Sequence, residues 1–402
     1  ALLSDLPDAD TETDPKDAQI ETALIQGIRA LNARYPDVSP FILLHRRRHW
    51  NPAEAKWMGW ERKRGKIEQF NTFLDGGARE AFPVGEGALD DLGAVRLVVT
   101  LDADTTAPQG AIRRLIATLA HPLNQACTDP ETGRVISGYG IVQPRIEIAP
   151  EVGAASIFAR LYTGDTAIDI YSRAVSDVYQ DLFGEGIFTG KGAYDVRAFR
   201  TALKGRVPEN ALVSHDLFEG LHVRAALASD IVLYEGFPTR YPDFSRRLHR
   251  WIRGDWQLLP WLGGHVPGRG GTCLASPLGG LDRWKILDNL RRSLIAPSLI
   301  LLAAFGWMVL PGASVVWTLL TVLAPGTYLV TNLVSGISRG RRRGAVHERW
   351  RQGSDHLGRW VLEVVFMANE AVRALDAIGR TLWRLAVSKR RLLEWTTAAH
   401  VA

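Results

Sequence analysis

Asp102 and Asp104 are the residues whose type and spacing most directly suggest chemistry. They close the stretch Ala94-Val-Arg-Leu-Val-Val-Thr-Leu-Asp-Ala-Asp-Thr105, an apolar, β-branched run that stops abruptly at two carboxylates. A buried strand of this kind delivers its last side chains to the carboxyl edge of a sheet, where open α/β folds place their ligands. Side chains alternate along an extended segment, so acids at i and i+2 share one side. Two such acids repel unless a cation sits beside them, and a hard divalent ion is the usual solution. The pair therefore predicts a metal–diphosphate site. The same residues equally fit an Asx-type turn and helix cap ahead of Ala107-Pro108, and this stretch alone leaves both readings open.

Further residues with chemical potential are spread along the chain. Asp5 ends a short apolar run, and Lys66 follows Gly65 at the start of a helical pattern. Gln143-Pro-Arg145 closes a strand-like segment, and Gly184 to Gly192 is a glycine-dense loop. Asp216 opens a helix, with Ser214 or His215 near its cap, and Arg250-Trp251 sits within a basic, aromatic helix. Taken singly, Asp5 is an ordinary loop acid, Lys66 a solvated helix-start lysine and Asp216 an acid stabilised by the helix dipole. Gly190-Lys191 invites a phosphate-loop reading, but Glu185 stands where that motif needs Gly, and Gly192 where it needs Ser or Thr. No G-x-G-x-x-G follows the first strand.

The elements that must position these residues alternate. Strand, helix (Ala18 to Tyr35), strand (Phe41 to His45) and helix (from Gly65) precede the Asp102 strand. A helix over Gly110 to Leu123, a strand over Val135 to Pro144 and one or two helices over Ala155 to Asp181 follow. Next come a helix from Val213 through Leu227, a strand over Ile231 to Glu235 and a helix over Phe244 to Pro260. This order argues for α/β architecture with a mixed, mostly parallel sheet flanked by helices.

Composition bounds the class. In 402 residues, 46% hydrophobic and 23% charged, there is room for one large domain with appendages or for two. The net charge of +5 is modest, and its basic residues cluster at Arg46 to Arg48, Arg291-Arg292 and Arg339 to Arg343. That uneven spread argues against a nucleic-acid-binding face. Cys127 and Cys273 are far apart and lack metal-ligand spacing to any His, which argues against a zinc site or a disulfide scaffold and suits a reducing compartment. The chain opens at Ala1 on what reads as a strand end, so the expectation is a piece of a longer polypeptide.

From Ser293 to Ser338 there is no Asp, Glu, Lys or Arg. This length predicts two membrane-spanning helices turning near Pro311-Gly312, since a span needs roughly 20 apolar residues. Basic residues flank both ends (Arg283, Lys285, Arg291 and Arg292; Arg339 and Arg341 to Arg343), placing both on the cytoplasmic side. Asp355 to Trp395 reads as amphipathic helices on the membrane surface. The expected division is a catalytic unit over 1–280, an interfacial helix and two spans over 281–338, and a basic linker with amphipathic helices over 339–402.

The order Asp5, Gly65-Lys66, Asp102-Ala-Asp104, Gln143-Pro-Arg145, Phe188-Thr-Gly190, Asp216, Arg250-Trp251 and then apolar helices resembles the membrane-embedded processive glycosyltransferases of family 2. Two departures stand out: Ser214-His215-Asp216 replaces Thr-Glu-Asp, and Arg247 replaces the Gln of Gln-x-x-Arg-Trp. Trp60-Glu-Arg-Lys-Arg-Gly-Lys-Ile-Glu, Thr100-Leu-Asp-Ala-Asp-Thr, Gly190-Lys-Gly-Ala-Tyr-Asp-Val, Ser214-His-Asp-Leu-Phe-Glu-Gly and Trp251-Ile-Arg-Gly-Asp-Trp-Gln are similar to the glycosyltransferase domain of bacterial cyclic β-1,2-glucan synthases. The resemblance implies a GT-A-like fold in a multi-pass inner-membrane protein, catalytic side to the cytoplasm, with other domains in the same polypeptide. It implies an inverting glucosyltransferase that uses UDP-glucose to extend a growing glucan, or a relative making another β-linked polymer; a non-catalytic membrane scaffold would not need these acids in this order. Asp5 would contact the uridine and Asp102 and Asp104 the diphosphate. Asp104, with Asp102, would ligate Mg2+ or Mn2+. Lys66 would offset leaving-group charge. Asp216 would be the general base, Arg250 and Trp251 would serve donor and acceptor, and Gly190, Trp251 and Trp256 would line the acceptor side.

Overall fold

A computed structural model describes residues 1–77, 79–89, 92, 93, 95–163, 178–327, 329 and 346–395. Tyr171, Arg339 and Arg341 to Arg343 lie outside the described residues, as does the end of the uncharged stretch.

The chain enters through β1 (Leu2–Asp5), followed by α1 (Asp17–Asn32), and β1 pairs in parallel with β2 (Leu43–Arg46), which brings Asp5 opposite Arg46. A small hairpin, β3 (His49–Asn51) and β4 (Lys56–Met58), leads into α2 (Arg62–Leu74), and β5 (Val84–Glu86) completes the first sheet antiparallel to β2.

The central sheet is built from β6 (Leu97–Thr100), β7 (Thr105–Thr106), β8 (Ile141–Ile148), β9 (Gly192–Asp195) and β10 (Ala225–Glu235), in the order β6-β9-β8-β10-β7. β8 and β10 pair in parallel; β9 inserts antiparallel between β6 and β8, and β7 pairs antiparallel with β10. The sheet is therefore mixed, as expected, with β6, β8 and β10 running the same way. The helix expected through Leu227 also ends earlier, because Arg224 takes a left-handed conformation and Ala225 begins β10.

Both faces of this sheet are covered. α3 (Ala111–Ala120) buries Ala111, Leu115 and Leu119, spaced i, i+4, i+8, against Val142, Ala193 and Leu233. The alternate residues Ile141 and Tyr194 face Ile67 and Phe70 of α2 and Phe199 of α4 (Val196–Leu203). This period-two split puts the sheet at the centre of a three-layer core, with its β6 and β9 ends near one rim. At that rim lies the start of α5 (Asp216–Val223), followed in the chain by α6 (Tyr241–Gln257).

Beyond α6, α7 (Gly280–Ser293) and α8 (Ile295–Met308) meet at a bend of 51°. α8 has 14 residues and α9 (Ser314–Leu323) has 10, separated by a turn in which Gly312 takes φ +95°. At 1.5 Å per residue α8 covers about 21 Å, short of the roughly 30 Å hydrocarbon core. Among the described residues no single helix is long and apolar enough to cross a membrane, although α7 and α8 together pass that test as a bent pair. The Pro311-Gly312 turn forms where expected, and the uncharged stretch continues beyond the described residues. Leu301, Phe305, Trp307, Val315 and Leu319 are exposed on these short helices.

The last helix, α10 (Val346–Trp383), is continuous, and it packs on α6 through Ala374, Ala377 and Ile378 against Ile252. The segment after it returns to the sheet domain, with Leu392 and Leu393 buried.

Candidate active site

Asp102 and Asp104 do not lie on an extended strand. β6 ends at Thr100, and residues 102–105 form a turn closed by Thr105 N–H donating to the Asp102 carbonyl at 3.1 Å, with the Thr105 hydroxyl accepting from the Asp102 N–H at 3.2 Å. The Asp102 carboxylate is gripped by Lys63 of α2 and by Lys191, the latter at 3.2 Å. Asp104 is exposed at the end of β10, its Oδ2 3.7 Å from where a side chain on Gly236 would begin. Burial would raise the Asp102 pKa, but Lys63 and Lys191 outweigh it and hold the carboxyl below its ordinary range. Burial likewise pulls down on Lys63, yet Asp216 and Asp102 raise it.

Lys191 connects this turn to the next element. It also pairs with Glu235, which Arg247 approaches at 3.9 Å, and the Arg247 guanidinium lies 4.6 Å from the Trp251 ring centre. A chain of charges thus runs from the Asp102 turn to α6.

Asp216 stands at the first position of α5, facing the glycine loop. Gly190 adopts φ +88°, and a Cβ there would stand 2.6 Å from Asp216 Oδ1 and 2.8 Å from Oδ2. The Gly190 carbonyl accepts from Lys63 at 3.2 Å, so one lysine touches both the Asp102 turn and this loop. Buried Gln143 fastens the loop to β8 by accepting the Thr189 N–H at 2.5 Å. The base of the pocket includes Ile67, Thr100, Phe188, His215 and Glu219.

α6 is drawn tightly onto the loop before α5. A Cβ on Gly254 would meet the Ser214 Cβ at 2.3 Å, and Gln257 Oε1 accepts the Val213 N–H at 2.8 Å. Arg250 shares this neighbourhood. Burial together with Arg247 and Arg253 pushes its pKa down to about 10, while Asp102 and Asp216 pull the other way. Its guanidinium lies 3.9 Å from the ring centre of Trp395. The backbone just before Trp395 is held by several side chains: Arg62 donates to the Leu393 carbonyl at 2.5 Å, Gln257 to Leu392 at 2.7 Å and Arg253 to Glu394 at 2.7 Å.

The structure thus gathers Asp102, Asp216, Gly190, Arg250 and Trp251, with Asp104 on the adjoining turn. Asp5 and Lys66 form a separate ionic cluster: Asp5 pairs with Arg46 at 2.5 Å and with Lys66 at 3.0 Å. Burial would raise Asp5, but these two cations lower it. The lysines that bracket Asp102 are instead Lys63 and Lys191. Trp256 is turned away, its indole N–H donating to Ser293 Oγ at 2.9 Å while its ring packs beside Ile252. Lys63 and Trp395 carry no sequence signal of these contacts, which join residues far apart in the chain. Lys191 was visible only through the rejected phosphate-loop pattern.

The donor set suits a hard cation in one respect. Asp104 offers an exposed carboxylate, whereas both oxygens of Asp102 are already ion-paired, so a divalent ion would take Asp104 first and draw further ligands from a diphosphate. Among the described residues, His215, Asp216 and Glu219 also present donor atoms within 4.8 Å of one another. His215 Nδ1 and Glu219 Oε1 already satisfy each other at 2.7 Å, so that trio is closed by its own hydrogen bond.

Known proteins locate this arrangement. The chain is 42% identical over its whole length to a Rhizobium meliloti protein named cyclic β-(1,2)-glucan synthase NdvB, and spans 14% of that protein's length. Residues 97–335, which carry the Asp102 turn, the glycine loop, Asp216 and α6, match the family described as glycosyl transferase family group 2. By that match the chain belongs to glycosyl transferase family group 2.

Proposed function

We propose that this chain is the glucosyl-transferring part of a cyclic β-1,2-glucan synthase, extending a β-glucan from UDP-glucose by a single inverting displacement. The observation that carries this reading is the convergence of Asp216, the Gly190 loop and the lysine-braced Asp102 turn at one rim of the sheet. The identity along the entire chain to the protein named above supports the polymer and the linkage.

Asp216 takes the proton from an acceptor hydroxyl as that oxygen attacks the anomeric carbon; the bond from that carbon to the diphosphate oxygen breaks, and the diphosphate leaves with the electron pair. An α-linked donor gives a β-linked product. Asp104, with Asp102, would hold Mg2+ or Mn2+, which supplies charge neutralisation for the departing diphosphate. Lys63 and Lys191 stand beside the same turn and Arg250 near it, so protein cations already concentrate where that charge develops. Trp251 and Arg250 face the acceptor and diphosphate side, and Asp5 with Lys66 the uridine side.

Residues 1–280 are read as the catalytic unit on the cytoplasmic side of a bacterial inner membrane. The exposed apolar faces of α8 and α9 support contact with a lipid bilayer, and other domains of the longer polypeptide would complete priming and cyclisation. The test is to give labelled UDP-glucose and Mg2+ to membranes containing the full-length protein and to determine the linkage of the product. A β-1,2-linked glucan is expected; a β-1,4-linked product, or no turnover, would overturn the proposal.

A further inference from the structure

Directly behind Asp216 the structure buries a second acid–base pair. His215 and Glu219 lie one helical turn apart, 4% and 2% exposed, with His215 Nδ1 2.7 Å from Glu219 Oε1. The same Nδ1 lies 3.6 Å from Asp216 Oδ1. Asp216 Oδ1 and Glu219 Oε2 are both buried without a hydrogen-bond partner. The other charged groups facing the trio are Lys63 and Arg64 of α2 and, beside Asp216, Arg250 of α6.

Such a pair is a poor way to stabilise a core. Burying two ionisable groups costs several kcal/mol each, and an apolar pair of similar size usually does as well or better. Burial disfavours the imidazolium, but the charges of Glu219 and Asp216 outweigh it and raise the His215 pKa. Burial also raises Glu219, with the charge of His215 opposing it. The surroundings keep this unit rigid: Gln257 of α6 holds Val213, Gly254 presses on Ser214, and Gly190 leaves no room on the other side of the carboxylate.

We propose that His215, braced by Glu219, is the positioning residue of Asp216. Its protonated ring attracts Oδ1 into the protein and leaves Oδ2 for the acceptor hydroxyl. The proton released by the acceptor ends on Asp216; His215 neither gains nor loses one. This role rests on the reading of Asp216 as the general base.

The experiment measures kcat, KM for UDP-glucose and the pH profile of glucan synthesis in membranes containing full-length protein, for wild type, His215→Gln, Glu219→Gln and Asp216→Asn. For His215→Gln, kcat is expected to fall about 10- to 100-fold, with KM within about twofold. The acid limb of kcat should move to higher pH, because a cation beside the reacting group is lost. Glu219→Gln should shift the same limb in the same direction and carries the test should His215→Gln fail to accumulate. A fall in kcat with an unmoved acid limb, or wild-type behaviour in both variants, would overturn the positioning role. If Asp216→Asn keeps wild-type activity, the base assignment itself fails; if it is inactive while His215→Gln behaves as wild type, only the present inference fails.

Discussion

Gly190 stands flat against Asp216, so closely that a methyl group at position 190 would lie 2.6 Å from the carboxylate oxygen Oδ1. The glycine loop therefore fixes where the candidate base can sit. Gly190→Ala meets two penalties, the contact itself and a φ of +88° that costs an L-residue roughly 1–2 kcal/mol. Displacing Asp216 by even an ångström is expected to lower kcat about 100-fold. Steady-state kinetics beside a thermal melt checks this, since the rate should fall far more than the modest loss of stability explains.

Lys63 and Lys66 lie on one helix but serve different acids, Asp102 and Asp5. Lys63→Met should reduce kcat/KM for UDP-glucose by about 10- to 100-fold, as expected when a charge-assisted contact worth about 1.5–3 kcal/mol is lost. Lys66→Met should leave the Asp102 turn intact and act on donor affinity alone. Measuring kcat and KM separately for both variants decides it, and equal effects on kcat would contradict the assignment.

Asp5 is the counter-ion of Arg46, whose side chain is 2% exposed and also donates to the carbonyls of Trp60 and Arg62. Asp5→Asn leaves that guanidinium buried without a carboxylate and is expected to cost about 3–5 kcal/mol. The folded Asp5 pKa is lowered, so its stabilisation is complete above the unfolded value near ~3.9 and fades as pH falls through the lower folded value. Denaturant titrations across this acid window should show the loss in wild type and a flatter profile in Asp5→Asn.

Trp395 covers the guanidinium of Arg250 at 3.9 Å, and the backbone leading to it is clamped by Arg62, Arg253 and Gln257. A cation–π contact of this kind contributes about 0.5–2 kcal/mol. Trp395→Ala is expected to weaken donor or acceptor use by up to roughly 30-fold through Arg250, with the Arg250→Ala, Trp395→Ala double variant no worse than Arg250→Ala. Additive losses would show that Trp395 acts elsewhere.

Much of this site can be read along the chain, because its acids end or begin regular elements. Val98 and Val99 announce a strand, and Ala111, Leu115 and Leu119 announce the helix that covers it. What the sequence hides is mostly tertiary. Lys63 reaches Asp102 across 39 positions and Gly190 across 127, distances at which no local pattern operates. The Asp102-Ala-Asp104 spacing suggested an extended strand end, but the Thr105 side chain closes this backbone into a turn. A mixed sheet was expected, but the antiparallel place of β9 between β6 and β8 rests on pairing across distant residues that no local pattern shows. The uncharged stretch marked apolar helices and their turn, while hydropathy alone did not show the 51° bend between α7 and α8. His215 and Glu219 did carry a signal, the i, i+4 spacing, though nothing local marked either as buried.

The central claim is that Asp216 removes the acceptor proton beside the Asp102–Asp104 turn. It is tested most directly by labelled glucose incorporation from UDP-glucose in membranes holding full-length wild type, Asp216→Asn or Asp104→Ala, with UDP-glucose binding measured in parallel. Asp216→Asn should bind donor normally and lose at least about 100- to 10,000-fold in rate, and Asp104→Ala should lose both rate and Mg2+ dependence. Elongation by either variant at near the wild-type rate would contradict the account.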